Sequence, residues 1–148
     1  MKLAPKLFLT ATLGFASIQS ASGSAEDNVL IGDNAGGSLS YGDRNVFLGV
    51  NAGANTTSSY ENVFVGANAG MSFIGSGRQI LIGYNAGSQA TYGYDNVVIG
   101  YKAGESMDRA YDNTFVGDEA GRYCEGKLLC QLTFFAWQKN EPPIHYLI

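Results

Sequence analysis

Apolar residues in this chain come in threes. Val29-Leu30-Ile31, Val46-Phe47-Leu48, Val63-Phe64-Val65, Ile80-Leu81-Ile82, Val97-Val98-Ile99 and Thr114-Phe115-Val116 recur at a constant spacing, and Thr114 is the one departure from apolarity. Each triplet follows a carboxamide: Asn28, Asn45, Asn62, Gln79, Asn96 or Asn113. Each is closed by a glycine, and an Ala-Gly pair follows three residues later. The carboxamides mark a repeat of 17 residues without insertions from 28 to 121. A three-residue run rich in Val, Ile and Phe and ended by Gly is too short for a helix, so each triplet is predicted to centre a short strand. The Gly-x-Asn-Ala-Gly that follows predicts a turn, with Gly and Asn supplying positive φ. The other eight positions, as in 37–44 or 54–61, are polar and variable. They are expected to hold a second, weaker strand or a loop leading to the next coil.

An unchanging period lets like residues stack. The predicted fold is all-β, a parallel β-solenoid or β-roll of six 17-residue coils, each about 4.8 Å above the last, roughly 29 Å long in all. One coil cannot bury its own apolar face, but a stack can. The first column, Asn28, Asn45, Asn62, Gln79, Asn96 and Asn113, is expected to form a side-chain ladder. Alternation along a strand puts columns two and four on one face and column three on the other. Column three is Leu30, Phe47, Phe64, Leu81, Val98 and Phe115. One face fills the coil and the other needs a cover, because an apolar stripe this long exceeds what soluble monomers ordinarily expose. Either the variable segments supply that cover, or identical chains bury their stripes together. The second is favoured, so column three is read as core or oligomer stripe and the chain as a homo-oligomer.

Composition narrows the setting. The chain has 148 residues, 20 of them Gly and 3 Pro, with 15% charged residues and a net charge of −4. One domain is expected. No basic cluster offsets the acidity, which argues against a nucleic-acid partner. Residues 1–25 read as a signal peptide: Lys2 and Lys6 precede the apolar stretch 7–18, and small residues lead to a cleavage site near Ala25. That stretch is short for a membrane span, so no transmembrane segment is expected in the mature chain. Export makes a disulfide between Cys124 and Cys130 available, with free or intermolecular thiols as the alternatives.

The unit Asn-Val-Phe-Ile-Gly-x-Asn-Ala-Gly resembles the Ser-Val-Ala-Ile-Gly-x-x-Ala repeat of YadA-like trimeric autotransporter adhesin heads, and related repeats of phage tail fibres and other fibrous surface proteins. The likeness covers about 94 residues, Asn28 to Gly121. It implies a left-handed β-roll, trimerised through its inner strands and displayed at a bacterial surface for adhesion. This chain departs in its longer period and its bulky third position, and no heptad stalk follows Gly121.

The domains are therefore a signal peptide at 1–25, a solenoid at 26–121 and a tail at 122–148. The tail lacks the Gly and Ala-Gly of a seventh repeat and holds the only Trp and the only His, His145. It reads either as a cap over the last coil, with 128–137 pairing once across it, or as the end of a truncated or frame-shifted chain.

No catalytic constellation is present, so no enzyme, no cofactor and no metal is assigned. Gly75-Ser76-Gly77 lacks the Lys-Ser/Thr of a phosphate loop and reads as a turn. Asp27, Glu61, Asp95 and Asp112 precede position one, with Asp43 one residue earlier. Stacked carboxylates suit Ca²⁺, but Asp bonding its own turn is the stronger reading. Ice binding lacks the Thr column it would need. Tyr60, Tyr94 and Tyr111 share one column, Tyr41 and Tyr92 a second, and Tyr84 and Tyr101 a third. Exposed, these ladders suit contact with a host protein or glycan. The expectation is a secreted or bacterial-surface adhesive module without catalysis; the alternative is a structural fibre or surface-layer element without a specific ligand.

Overall fold

The structure, a computed structural model, describes residues 27–124 and two short outlying strands. In chain order its strands are β1 (Ile18–Gln19), β2 (Val29–Ile31), β3 (Val46–Leu48), β4 (Ser58–Tyr60), β5 (Val63–Val65) and β6 (Gly75–Gly77). Then come β7 (Ile80–Ile82), β8 (Tyr92–Tyr94), β9 (Val97–Ile99), β10 (Ala110–Tyr111), β11 (Thr114–Val116) and β12 (Thr133–Phe134). Every regular element among the described residues is a strand. No helix there is long and apolar enough to cross a membrane.

Numbering each repeat from its carboxamide, positions two to four form sheet A, in the order β1-β2-β3-β5-β7-β9-β11-β12. Its six repeat strands pair in parallel, partners lying 17 residues apart: Val29 with Val46, Val46 with Val63, Val97 with Thr114. The variable segments build sheet B from β4, β6, β8 and β10, with Tyr41 bridged to Ser58. The chain is a parallel β-solenoid. It makes five complete turns plus a sixth strand, because the described part of the last repeat ends at Cys124, before a second strand. That refines the expected six full coils.

Backbone bonds between coils continue around the perimeter. They occur at positions two (Val29 N–H to Asn45 O, 2.7 Å), five (Gly49 to Ile31, 2.8 Å), seven (Asn51 to Asp33, 2.9 Å), nine (Gly36 to Ala52, 2.9 Å) and eleven (Ser38 to Ala54, 3.0 Å). Positions eight and twelve instead bond back within their own coil, as in Ala35 N–H to Gly32 O (3.3 Å) and Leu39 N–H to Gly36 O (2.9 Å), so buried peptide groups are satisfied both between coils and in the turns of each coil. Two glycine columns make the close stacking possible. A Cβ at Gly83 would lie 2.2 Å from the Gly100 carbonyl oxygen above it, and Gly83 has φ +138°. At position nine, a Cβ on Gly53 or Gly70 would lie 2.6 Å from the ring of Phe47 or Phe64.

Column three lies wholly inside: Leu30, Phe47, Phe64, Leu81, Val98 and Phe115 are all buried within one chain. They meet the alanines of position eight and the residues of position twelve, Leu39, Thr56, Phe73, Ala90, Met107 and Cys124. Phe47 and Phe64 stack at 4.7 Å, and Phe64 meets Phe73 at 5.7 Å. Volumes offset along the axis. The Phe64–Phe73 coil precedes the smaller Leu81–Ala90 coil, and Met107 reaches down to within 3.4 Å of the Gly87 Cβ position. Column three is thus core, and the oligomer role expected of it is corrected: its side chains are used up by their own chain.

Two strands extend sheet A. β1 pairs antiparallel with β2, Ile18 opposite Ile31. β12 pairs parallel with β11, Phe115 opposite Thr133, an offset of 18 rather than 17 residues. Apart from 122–124, the rest of the expected signal peptide and tail, His145 and Cys130 included, lies outside the described residues, as does the Cys124–Cys130 pairing.

Candidate functional site

The carboxamide column is a ladder, interrupted once. Asn28 Oδ1 accepts from the backbone N–H and from Nδ2 of Asn45, both at 2.9 Å. Asn45 Oδ1 does the same for Asn62, at 3.1 and 3.0 Å, and Asn96 Oδ1 for Asn113, both at 3.0 Å. Asn45 Nδ2 also donates to Ser59 O at 2.8 Å, which ties sheet A to sheet B across the corner. At Gln79 the extra methylene carries the amide past its neighbours. Its backbone N–H still bonds Asn62 Oδ1 (2.9 Å), but its side-chain amide is buried without a partner.

A second ladder went unnoticed in the sequence. Asn34, Asn51, Asn68 and Asn85 occupy position seven with φ between +56° and +58°. Each donates Nδ2 to the Oδ1 of the next, at 3.0 to 3.2 Å, and Asn85 donates to Glu105 (3.3 Å). The buried Glu105 ends this ladder, held by Arg122 at 2.6 Å with Lys102 at 4.0 Å. The repeat shows this Asn plainly, but as a turn former; its ladder depends on the coil-to-coil stacking.

The acidic column is corrected. Arg44 and Arg78 share it with Asp27, Glu61, Asp95 and Asp112, all six in the left-handed region. Arg44 bridges Asp43 and Glu61, each at 3.0 Å, and Arg78 grips Asp95 at 2.5 and 2.6 Å. The Arg78 hydrogen bond holds the Asp95 carboxyl below the usual carboxylate range. Charges alternate along most of this column instead of accumulating.

Outward positions define two surfaces. On sheet A, columns two and four face out and are aliphatic except for Thr114, with Val29, Leu48, Ile80 and Val116 between 37% and 44% exposed. Tyr84 and Tyr101, stacked at 5.6 Å, stand just beyond in the following turn. On sheet B, Tyr60, Tyr94 and Tyr111 form the lane at position sixteen, and Tyr94 and Tyr111 stack at 6.0 Å. Tyr41 and Tyr92 share the lane at position fourteen. The tyrosine columns expected to bind therefore split between two surfaces: Tyr84 and Tyr101 beside sheet A, the others on sheet B.

Gly75–Gly77, read from sequence as a turn, is strand β6. The strands above and below fix its backbone, which the glycines alone would not do. Because both its outward positions are glycine, β6 floors a cleft of about 390 Å³ lined by Ser58, Tyr60, Glu61, Gly75, Gly77, Arg78 and Tyr94. The signal in the sequence is two glycines in columns that elsewhere carry Asp, Tyr, Ser or Arg, and it becomes legible only once sheet B is known.

Comparison of the chain with family models, curated proteins and solved structures gives no match.

Proposed function

We propose that this chain is a secreted or surface-displayed, non-catalytic repeat module that adheres to protein or glycan surfaces. What carries the reading is the pair of outward surfaces on one rigid stack: aliphatic lanes on sheet A and tyrosine lanes on sheet B. Sheet A's outer face suits a second copy of the chain. It is long and nearly continuous, and a face of that kind on a soluble protein ordinarily has a partner. A homo-oligomer joined there leaves the tyrosines free, and the resemblance to YadA-like heads favours a trimer displayed at a bacterial surface. Tyr lanes repeated at coil spacing suit many weak contacts acting together.

Two measurements test this. Light scattering on the exported protein at micromolar concentration should return a multiple of the chain mass, and Leu48→Lys with Val65→Lys should reduce it to one chain without unfolding. A monomer in the unsubstituted protein removes the oligomer. Retention on immobilised matrix proteins and glycans should fall when Tyr60, Tyr94 and Tyr111 are replaced by Ala. No retention of the unsubstituted protein on any surface would favour a fibre element without a ligand.

A further inference from the structure

We infer that Lys102 and Asn85 join in a covalent amide cross-link, formed within the chain and promoted by the buried Glu105. The inference stands apart from what the outer surfaces bind. Position seven carries Asn34, Asn51, Asn68 and Asn85, and then Lys102. Ladder bonds of 3.0 to 3.2 Å show that side chains of consecutive coils touch in this lane. Lys102 sits one rung above Asn85, its backbone N–H bonded to Tyr84 O at 2.8 Å. An amine therefore replaces the amide that would have continued the ladder, and it does so beside a carboxylate.

Neutralising Glu105 does not explain the amine. Position ten is Gly37, Ala54, Met71 and Ser88 in the coils below and Arg122 above, so Glu105 is the one carboxylate in its lane. Its side chain is 7% exposed, and a charge so buried needs a partner. Arg122 Nε supplies one, 2.6 Å from Oε2. The other oxygen, Oε1, lies 3.3 Å from Asn85 Nδ2 and 4.0 Å from Lys102 Nζ. For neutralising a single carboxylate this second cation is redundant. Its position instead puts one carboxylate oxygen in reach of both an amine and a carboxamide.

These groups match what amide exchange requires. A lysine amine is a nucleophile once its extra proton is gone. Glu105 Oε1 is placed to take that proton and to deliver one to Asn85 Nδ2, the leaving nitrogen. Asn85 Oδ1 accepts a hydrogen bond from Asn68 Nδ2 at 3.0 Å, and it is there that negative charge develops as Nζ adds to Cγ. The Cγ–Nδ2 bond then breaks and the Cγ–Nζ bond remains. The freed nitrogen leaves as ammonium, carrying the charge that Lys102 brought, and Glu105 is again a carboxylate. No oxidant or outside reactant enters. Rungs about 4.8 Å apart lie within a lysine's length, so turning its last torsions carries Nζ from Oε1 to Cγ. The reaction consumes its own residues, so it happens once per chain and the chain is no enzyme.

Intact mass spectrometry of the purified full chain, followed by trypsin mapping, tests the bond. The folded protein should be lighter than its sequence by one ammonia, after allowance for leader removal and any disulfide. Trypsin should leave 79–109 as one peptide, uncut after Lys102 and lighter by the same amount. Lys102→Arg keeps the charge and removes the nucleophile; it should restore full mass and cleavage after position 102. Glu105→Gln leaves amine and carboxamide in place and should lower the cross-linked fraction at least about tenfold. Full mass with cleavage after Lys102 in the unsubstituted chain would overturn the inference, whatever the variants do. A lighter chain still cut at Lys102 would overturn it too, because an asparagine that closes on its own backbone loses ammonia without involving lysine. A cross-link undiminished in Glu105→Gln would overturn the role given to Glu105.

Discussion

Sheets A and B are built from the same stack by opposite means. In sheet A nearly every position is dictated: a carboxamide, three apolar residues and a glycine, repeated six times with a single Gln and a single Thr as departures. In sheet B the strands read Ser-Ser-Tyr, Gly-Ser-Gly and Tyr-Gly-Tyr, with no shared pattern, yet they pair in the same parallel register. Side chains specify the first sheet. The second is held at strand spacing by the first, through corner bonds such as Asn45 to Ser59 and Asn96 to Ala110 O. Variation is therefore cheap on sheet B and costly on sheet A, and recognition chemistry can change on one without loss of the other.

Glycine substitution should expose this contrast most sharply. Gly83→Ala places a methyl against the Gly100 carbonyl at a φ that side chains avoid, and should cost at least about 3 kcal/mol by denaturant melts. Gly75→Ala, one sheet away, should be neutral or stabilising by up to about 1 kcal/mol. Comparable losses at the two sites would show that sheet B is as tightly specified as sheet A. A smaller effect is expected inside the ladder. Gln79→Asn restores the interrupted rung and removes an unpartnered buried amide, and should raise stability by about 1–3 kcal/mol. Thermal melts showing a loss there would mean that the longer side chain fills space an Asn leaves empty. Thr56→Val replaces a buried hydroxyl that has no partner, and should gain about 1 kcal/mol; no gain would place an ordered water on that oxygen.

The smallest effect concerns acid. Asp108, through its hydrogen bond from Thr91, and Asp95, through Arg78, hold their protons less tightly than free carboxylates. Their stabilising contributions are present above the ordinary aspartate range and are lost as pH falls through the lowered values. The melting temperature should decline below about pH 4, and the decline should be shallower in Asp108→Asn. Asp95 is exposed and Asp108 only half-buried, so the change should be slight.

Sequence made sheet A legible because its constraints are columnar. The glycine at position five must be glycine in every coil, and 17 is the one period that aligns Gly32, Gly49, Gly66, Gly83, Gly100 and Gly117. Alternation also separated column three from columns two and four, but it could not say which pointed inward. That depended on where Leu39, Phe73 and Met107 would lie, and they sit in the stretch with no visible pattern. Sheet B stayed hidden for the same reason, and with it the cleft over Gly75 and Gly77. The acidic column is only half a column: Arg44 and Arg78 stand at the same spacing as Asp27, Glu61, Asp95 and Asp112, and their charge decides its character.

Hydrogen bonds that run between coils, around nearly the whole perimeter, have a mechanical meaning. Tension applied along the axis would load them one coil after another instead of all together. Each coil that let go would release roughly 50–55 Å of slack for the 4.8 Å it had occupied. Such a molecule would behave as a stepwise shock absorber, and force–extension traces of the stretched protein should show evenly spaced teeth.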